Sequence, residues 1–195
     1  MNTMPNGTIY ILVGGGCRTG RAKSRLIAAM NDAFAVMHRR SATVLIVPFA
    51  RQRSEWKPIS ERYRKALFSG FVRSGIASVS VADPRTPVFF RQFARADLVF
   101  RCGGSELRLQ KYISTIKWPR WGKIIVGISA GANVLAKRYF SNDRNRVETG
   151  LGVVPMSTIC HYGSEKRSRL IRLVARSTYP VVPLHDDEYI VLMNH

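Results

Sequence analysis

The chain has 195 residues and a formal net charge of +19, because 31 Lys and Arg face only 12 Asp and Glu. The hydrophobic share of 46% excludes a disordered chain and predicts a single α/β domain over residues 1–195. No apolar run reaches the ~20 residues that cross a bilayer, and the first residues lack the basic start of a secretion signal. Together with three scattered cysteines, Cys17, Cys102 and Cys160, this predicts a cytoplasmic protein without membrane contact.

Short apolar runs alternate with helical patterns along the chain. The first run, Thr8–Val13, ends in Gly14-Gly15-Gly16 and predicts a buried strand. Further strands are predicted at residues 43–49, 77–82, 97–102, 123–128, 153–159 and 181–193, with helices over 21–38, 59–71, 87–96, 106–116, 130–138 and 165–176. This alternation is typical of an open, mostly parallel α/β sheet flanked by helices on both faces.

One pentapeptide carries a strong chemical signal. Gly127-Ile128-Ser129-Ala130-Gly131 fits the pattern G-x-S-x-G between a predicted strand and a predicted helix, which is the context of a nucleophile elbow. Small residues at both flanks permit a tight turn that lifts the Ser129 hydroxyl above the carboxyl edge of the sheet. The backbone N–H of Ala130 can then stabilise an oxyanion. The alternative is a chance pentapeptide in a strand-to-helix turn.

A serine nucleophile needs a base, and the sequence offers four histidines. His161 follows a predicted strand and precedes a polar turn, so it lies at a strand end, where a parallel sheet keeps its catalytic groups. His185 is the second candidate. His38 lies on a basic helical stretch and His195 is the last residue, which makes both weaker choices.

The base in turn needs an orienting carboxylate. Between Ser129 and His161 the only acids are Asp143 and Glu148. Asp143, in a polar Asn- and Arg-rich stretch, is the first choice, and Glu148 is the second. Either residue can equally be an ordinary surface acid.

Two glycine-rich turns and one cysteine also need an interpretation. Gly103-Gly104 follows the fourth predicted strand and offers Gly104 as a second oxyanion donor, because no side chain blocks its backbone. Gly14-Gly15-Gly16 fits no phosphate-loop pattern, and no cofactor or metal is expected. Cys160 stands beside His161, but a buried structural thiol is the simpler interpretation.

With these parts in place, the chain resembles the dipeptidase E and cyanophycinase family of serine peptidases. The residues that carry the resemblance are the elbow over 127–133, the segment 97–105 ending in Gly-Gly-Ser, the stretch 151–155 before His161, and the strand 44–50. The resemblance implies a fold like that of class I glutamine amidotransferases, of the flavodoxin-like type. Ser105 stands where the family usually has asparagine.

The resemblance also implies roles for single residues. It makes Ser129 the nucleophile, His161 the base, Asp143 the third member, and Gly104 with Ala130 the oxyanion donors. Arg167 is implied to bind an acidic substrate side chain. Apart from the resemblance, the surplus of Arg and Lys is expected to draw anions to this edge of the sheet, with Arg101 and Arg169 as the next candidates after Arg167. The implied activity is that of a dipeptidase E-like serine peptidase, which cleaves small acidic peptides such as Asp-Xaa dipeptides.

Two other classes of protein compete with this interpretation. An α/β-hydrolase esterase shares the G-x-S-x-G elbow, but too few residues follow Ser129 for that fold and no HGGG-type loop is present. The second is a catalytically silent basic protein of the same fold, whose net charge of +19 binds nucleic acid or another polyanion. The sequence contains no nucleic-acid-binding motif that would favour it, and it predicts no oligomeric state.

Overall fold

A computed structural model describes residues 7–16, 20–38, 41–70, 75–114 and 122–194. Cys17 and His195 lie outside these ranges, as do the last residues of the helices predicted over 59–71 and 106–116. Within the described residues, no helix is long and apolar enough to cross a membrane.

The described chain forms ten strands and six α-helices. The strands are β1 Thr8–Val13, β2 Ser41–Val47, β3 Gly75–Val81, β4 Leu98–Arg101, β5 Ile124–Ile128, β6 Ala136–Ser141, β7 Arg146–Thr149, β8 Val154–Cys160, β9 Val181–Leu184 and β10 Tyr189–Asn194. The helices are α1 Gly20–Val36, α2 Trp56–Gly70, α3 Thr86–Arg95, α4 Glu106–Ile113, α5 Ala130–Asn133 and α6 Arg167–Val174, with 3₁₀ turns at Arg53–Glu55 and Ser164–Lys166.

Six strands form the main sheet in the order β10-β1-β5-β4-β2-β3. All neighbours in it are parallel except β10, which runs antiparallel to β1 at one edge. The predicted α/β class with a mostly parallel sheet is therefore confirmed. A second sheet, in the order β7-β6-β8-β9, was not predicted.

The second sheet replaces part of a predicted helix. The helix expected over 130–138 ends at Asn133, and the chain enters β6 at Ala136. The carbonyl of Leu135 accepts hydrogen bonds from the N–H groups of Val153 and Val154, at 2.9 and 3.0 Å, so it cannot continue a helical ladder. The prediction of a long helix was wrong because these tertiary bonds override local helix propensity.

The strands of the main sheet bury side chains on both faces. Helices α1 and α2 cover one face, with Leu26, Met30 and Leu67 packed against it. Helices α3 and α4 cover the other face with Phe89, Phe93, Leu109 and Ile113. Burial on both faces explains why strands such as β1, buried at every position, are continuous apolar runs in the sequence.

The parallel strands end at one edge of the sheet, which brings their following loops together. Val13 pairs with Ile128, and Arg101 pairs with Gly127 one residue before it. The loops after β1, β4 and β5 thus leave the sheet side by side. His161, which follows β8, donates its backbone N–H to the carbonyl of Gly14 at 3.0 Å and joins this edge.

Candidate active site

Ser129 occupies a strained turn between β5 and α5. Its backbone angles, φ 52° and ψ −111°, lie outside the helical and extended regions. Such a conformation costs on the order of 1–3 kcal/mol and persists only where the surroundings impose it. Here the N–H of Ser129 donates to the carbonyl of Val13 at 2.8 Å. The carbonyl of Ser129 accepts hydrogen bonds from the N–H groups of Ala132 and Asn133. The elbow predicted from the pentapeptide is therefore present in the backbone.

The two glycines that flank Ser129 are required by close contacts. A Cβ on Gly127 would lie 2.4 Å from the carbonyl oxygen of Gly131, and a Cβ on Gly131 would lie 2.8 Å from that of Arg101. Both distances are too short for real atoms. The G-x-S-x-G pattern thus reflects the packing of the turn against β4 as well as the chemistry of the serine.

His161 lies within hydrogen-bonding distance of Ser129. Its Nε2 is 2.7 Å from the Ser129 Oγ, as a general base for this hydroxyl requires. His161 itself has a positive φ of 53°, so the chain turns sharply where β8 ends. Its carbonyl accepts a hydrogen bond from Nζ of Lys166, which ties the turn to the 3₁₀ segment that follows.

The carboxylate that contacts His161 is Asp186, and not Asp143 or Glu148. The Nδ1 of His161 donates to Oδ1 of Asp186 at 2.6 Å. Asp143 lies on the turn between β6 and β7 and lines the cleft without bonding to the imidazole. Glu148 lies on β7, where it accepts hydrogen bonds from Arg144 and Arg146. The expectation of Asp143 as orienting acid is thus corrected by the hydrogen bonds.

Sequence reasoning missed Asp186 because it considered only acids between the serine and the histidine. A signal was present, since Asp186 belongs to the acidic run 186–188 directly after the apolar strand β9. Strand ends at the carboxyl edge of a parallel sheet are where functional side chains gather.

The glycines after β1 make room for this hydrogen-bonded pair. A Cβ on Gly15 would lie 2.1 Å from Cε1 of His161 and 2.5 Å from Oδ1 of Asp186. The carbonyl of Gly15 also accepts the N–H of Asp187 at 3.0 Å, which holds the acidic turn in place. The run Gly14-Gly15-Gly16 therefore serves close packing at the site.

Two backbone N–H groups next to Ser129 can stabilise an oxyanion. Ala130 begins α5, and within the described ranges neither its N–H nor that of Gly104 has a backbone acceptor. A Cβ on Gly103 would lie 3.3 Å from Cβ of Ser129, so this loop passes directly beside the nucleophile. A Cβ on Gly104 would lie 2.4 Å from the carbonyl oxygen of Ala50, and its φ is +148°. The geometry thus keeps both predicted donors, Gly104 and Ala130, beside the serine.

Ser129 and His161 open into a cleft of about 770 Å³. Among the described residues its charged lining is balanced, with three cations, Lys23, Arg51 and Arg62, and three acids, Glu55, Glu106 and Asp143. Within the part of the chain that the structure describes, the excess of positive charge is therefore not concentrated at the serine. A cleft with both signs of charge suits a small zwitterionic ligand better than a polyanion.

Arg167 does not line this cleft among the described residues. It begins α6 with its side chain exposed. Of the two other candidates, Arg169 bonds to Oδ1 of Asn142 at 2.9 Å, and Arg101 is buried beneath the elbow, with Nη2 2.5 Å from the carbonyl of Gly131. Burial lowers the pKa of Arg101 to about 9. Arg101 therefore supports the elbow and is closed to substrate.

The remaining candidates from the sequence lie away from the reacting groups or are inert. Cys160 is fully buried, and burial raises the pKa of its thiol, which leaves it a poor nucleophile. His185 is exposed and packs edge-on against the Tyr162 ring at 5.1 Å. His38 is exposed at the end of α1.

A buried carboxyl group, Glu106, borders the cleft behind the serine. It is 7% exposed and accepts hydrogen bonds from Nδ2 of Asn133 at 3.0 Å and from Ser141. Burial raises its pKa above the ordinary value. Asn133 also accepts from Thr158 of β8, so the network ties α4 and α5 to the second sheet. Within the described ranges, no group of three or more His, Cys, Asp or Glu residues could hold a metal ion.

Comparisons with known proteins give a family and a similar fold. The model of peptidase family S51 matches residues 10–195 of the chain. Among solved structures, the chain is similar to that of a peptidase from an acI-B1 Actinobacterium, with a TM-score of 0.69 over 97% of this chain and 85% of that chain. The two sequences are 18% identical, so this likeness concerns the fold. No curated protein matches the chain.

Proposed function

The chain belongs to peptidase family S51, and we propose that it hydrolyses small acidic peptides through Ser129, His161 and Asp186. Membership of the family makes it a serine-type peptidase and confirms the resemblance to dipeptidase E and cyanophycinase. The observation that carries the proposal is the chain of two short contacts, 2.7 Å from Ser129 to His161 and 2.6 Å from His161 to Asp186.

The proposed reaction follows from these contacts. The Ser129 Oγ attacks the scissile carbonyl while Nε2 of His161 takes its proton. The N–H groups of Gly104 and Ala130 donate to the oxyanion that forms. His161 then gives the proton to the leaving amine, and water hydrolyses the acyl-serine with His161 again as base. Asp186 keeps Nδ1 protonated and stabilises the imidazolium.

We assign the binding of the acidic substrate side chain to Arg51, which lines the cleft, and no longer to Arg167, which does not. The carbonyl of Ala50 accepts the N–H of Ser105 at 2.8 Å, so Arg51 stands next to the loop that carries Gly104. Because the acyl carbonyl points to Gly104, the acyl side chain of the substrate lies near Arg51. The Arg51 side chain is 39% exposed and lines the cleft, where its Nη1 lies 3.7 Å from Oε1 of Glu55; the planar fork of its guanidinium can also bond a substrate carboxylate.

The compartment proposed for this activity is the cytoplasm. Cys102 and Cys160 are both reduced and buried, as suits a reducing environment. The other candidate function, binding of nucleic acid, rests on the net charge of +19 alone. The balanced charges of the cleft favour the peptidase.

Labelling with a fluorophosphonate probe tests the nucleophile directly. We expect the wild-type protein to label, and the Ser129→Ala variant to stay unlabelled and to lose hydrolysis of Asp-Leu by about 10⁴-fold or more. Ser69→Ala, which removes an exposed serine hydroxyl of α2 outside the cleft, is the matched control and is expected to keep both labelling and turnover. Full activity in Ser129→Ala would overturn the proposal.

A further inference from the structure

One buried carboxyl group, that of Glu106, lies between the segments that carry the proposed reacting groups. Glu106 is the first residue of α4 and follows the loop of Gly103 and Gly104 by two positions. Its Oε1 accepts a hydrogen bond of 3.0 Å from Nδ2 of Asn133, which ends α5. Its Oε2 accepts a longer bond of 3.4 Å from Oγ of Ser141, the last residue of β6. The carboxyl therefore joins the loop of the oxyanion donor to the end of the elbow helix.

Asn133 extends this contact to the nucleophile and to the base. Its backbone N–H donates to the carbonyl of Ser129 at 2.9 Å, which holds the turn at the serine. Its Oδ1 accepts a hydrogen bond of 3.0 Å from Oγ1 of Thr158, on β8. Strand β8 ends at Cys160, and His161 follows it. The Asn133 side chain thus forms a bridge between the helix that starts after the nucleophile and the strand that leads to the base.

The three side chains of this bridge, Glu106, Asn133 and Thr158, are buried, so the protein itself must supply their hydrogen-bond partners. Glu106 is 7% exposed, Asn133 1% and Thr158 0%. A buried amide without partners costs free energy. Here Nδ2 of Asn133 needs an acceptor, and the carboxyl of Glu106 provides it. An acceptor at position 106 therefore fixes the orientation of the Asn133 amide.

Two other roles for Glu106 require different chemistry. As an acid in the first turn of α4, it would act through its charge on the helix dipole. As a residue that lines the cleft, it would bind a cationic group of the substrate. Both of these roles need the negative charge, whereas the bond to Asn133 needs only an oxygen acceptor. Glutamine at this position supplies the acceptor without the charge, and leucine supplies neither.

We propose that Glu106 is a positioning residue for the nucleophile: by holding the Asn133 amide, it sets the separation of the Ser129 hydroxyl and the His161 imidazole. The 2.7 Å contact between Oγ and Nε2 then depends on an oxygen acceptor at position 106 and not on a charge there. The inference rests on the proposed function for the roles of Ser129 and His161. It adds a residue that acts through the protein, without touching substrate.

Steady-state kinetics on Asp-Leu distinguish the three roles. We expect Glu106→Leu to lower kcat by about 10²-fold, since a displacement of about 1 Å at a catalytic group costs a factor of this size. KM is expected to stay within about twofold, because no contact with the substrate is lost. Glu106→Gln is expected to keep kcat within about threefold of the wild type, since its Oε1 still accepts from Asn133. A loss in Glu106→Gln as large as in Glu106→Leu, or a loss confined to KM, would overturn the proposal.

A variant at the opposite end of β5 controls for loss of stability. Lys123 is buried, and its Nζ donates to the carbonyls of Ala94 at 2.8 Å and Ala96 at 2.6 Å. Lys123→Met removes these buried hydrogen bonds just before β5 begins, whereas the elbow follows its last residue. Urea unfolding measures the stability of this variant and of Glu106→Leu. If both lose kcat in proportion to their loss of stability, Glu106 is only a structural residue and the proposal is wrong.

Nitrogen-15 NMR signals of the His161 imidazole provide a test that needs no turnover. The signal of Nε2 depends on its hydrogen bond with Ser129. We expect this signal to move in Glu106→Leu and to keep its wild-type position in Glu106→Gln and in Lys123→Met. Because Glu106→Gln restores the acceptor alone, its signal shows that the acceptor, and not the charge, holds the imidazole and the hydroxyl together.

A milder variant tests the same bridge if Glu106→Leu does not fold. Thr158→Val removes only the hydroxyl that donates to Oδ1 of Asn133 and keeps the shape of the side chain. We expect it to move the Nε2 signal of His161 as well. Thr149→Val, at an exposed position of β7, is the matched control and leaves the signal in place. An unmoved signal in Thr158→Val would overturn the proposal.

The outcomes separate this inference from the proposed function. An unchanged Nε2 signal in Glu106→Leu overturns the positioning role, even when the wild-type protein hydrolyses Asp-Leu. A signal that moves in Glu106→Leu and returns in Glu106→Gln supports the positioning role, even when the wild-type protein hydrolyses no peptide and the proposed function fails.

Discussion

Asp186 accepts a hydrogen bond of 2.6 Å from Nδ1 of His161, although it comes 25 residues later in the chain. The turn that carries Asp186 links β9 to β10, and β10 returns to pair with β1. The loop after β1 lies between the turn of His161 and the turn of Asp186. The carbonyl of Gly14 accepts the backbone N–H of His161, and the carbonyl of Gly15 accepts that of Asp187. The site is therefore assembled by the edge strand of the main sheet.

The first prediction separates Asp186 from Asp143. Asp186→Asn removes the charge that holds the His161 tautomer, and we expect kcat for a dipeptide to fall by about 10³- to 10⁴-fold. Asp143→Asn is the control, because Asp143 lines the same cleft without touching the imidazole. Steady-state kinetics on both variants decide the matter. A larger loss in Asp143→Asn than in Asp186→Asn would contradict the assignment.

The second prediction concerns Gly15. A methyl group there would lie 2.1 Å from the His161 ring, so in Gly15→Ala the imidazole must move away from Ser129. Since a displacement of about 1 Å at a catalytic group costs roughly 10²-fold in rate, we expect a loss of at least that size. Gly122→Ala is the matched control, because Gly122 also has a positive φ but no atom within 4 Å of the added carbon. Equal activity of the two variants would contradict this role.

Much of this site follows from local sequence, and its remaining part does not. The elbow around Ser129 and the strand end at His161 are short patterns whose geometry is set by neighbouring residues. The position of Asp186 directly after the apolar strand β9 is a local signal for this edge of the sheet, but its contact with His161 depends on how β10 pairs with β1. The same holds for Arg51, which reaches the cleft only because Ala50 packs against Gly104. Such contacts between distant segments leave no periodic signal in the chain.

The third prediction is a pH dependence of stability that arises from Glu106. Burial raises the pKa of this carboxyl in the folded state, so the folded protein holds the proton more tightly than the unfolded chain. The contribution of Glu106 to the free energy of unfolding is therefore fully present at low pH, and it is lost as pH rises through the folded-state pKa. Relative to Glu106→Gln, the wild-type protein is therefore expected to lose Tm as pH rises above 4.5, the ordinary value.

Thermal melts of both proteins between pH 4 and pH 8 measure this difference. Glu61→Gln, which removes an exposed carboxylate of α2, controls for the change in net charge. A Tm difference that grows in favour of the wild-type protein with rising pH would contradict the sign.

The fourth prediction addresses the net charge of +19. Because the described lining of the cleft carries as many acids as bases, we expect DNA or RNA to bind only weakly, with an affinity that falls steeply as salt is raised. Nucleic acid at physiological salt should leave fluorophosphonate labelling of Ser129 unchanged. A gel-shift titration at several salt concentrations, run beside the labelling assay, measures both. Tight binding that persists at high salt and blocks labelling would favour the nucleic-acid-binding alternative.

The fifth prediction assigns acidic specificity to Arg51. Its guanidinium lines the cleft beside the Gly104 loop, whereas Arg167 is exposed at the start of α6. Asp-Leu and Asn-Leu differ mainly in the charge of the first side chain, and we expect the wild-type protein to prefer Asp-Leu. In Arg51→Gln that preference should fall by about 10- to 100-fold, since a charge-assisted hydrogen bond contributes ~1.5–3 kcal/mol. The loss should appear in kcat/KM for Asp-Leu, with Asn-Leu little changed.

Arg167→Gln provides the matched removal of one positive charge, and its preference is expected to stay within about twofold of the wild type. Both substitutions remove one positive charge, so a difference between them reports direct contact with the substrate. If only Arg167→Gln loses the preference for Asp-Leu over Asn-Leu, the acidic side chain binds at α6 and the assignment to Arg51 is wrong.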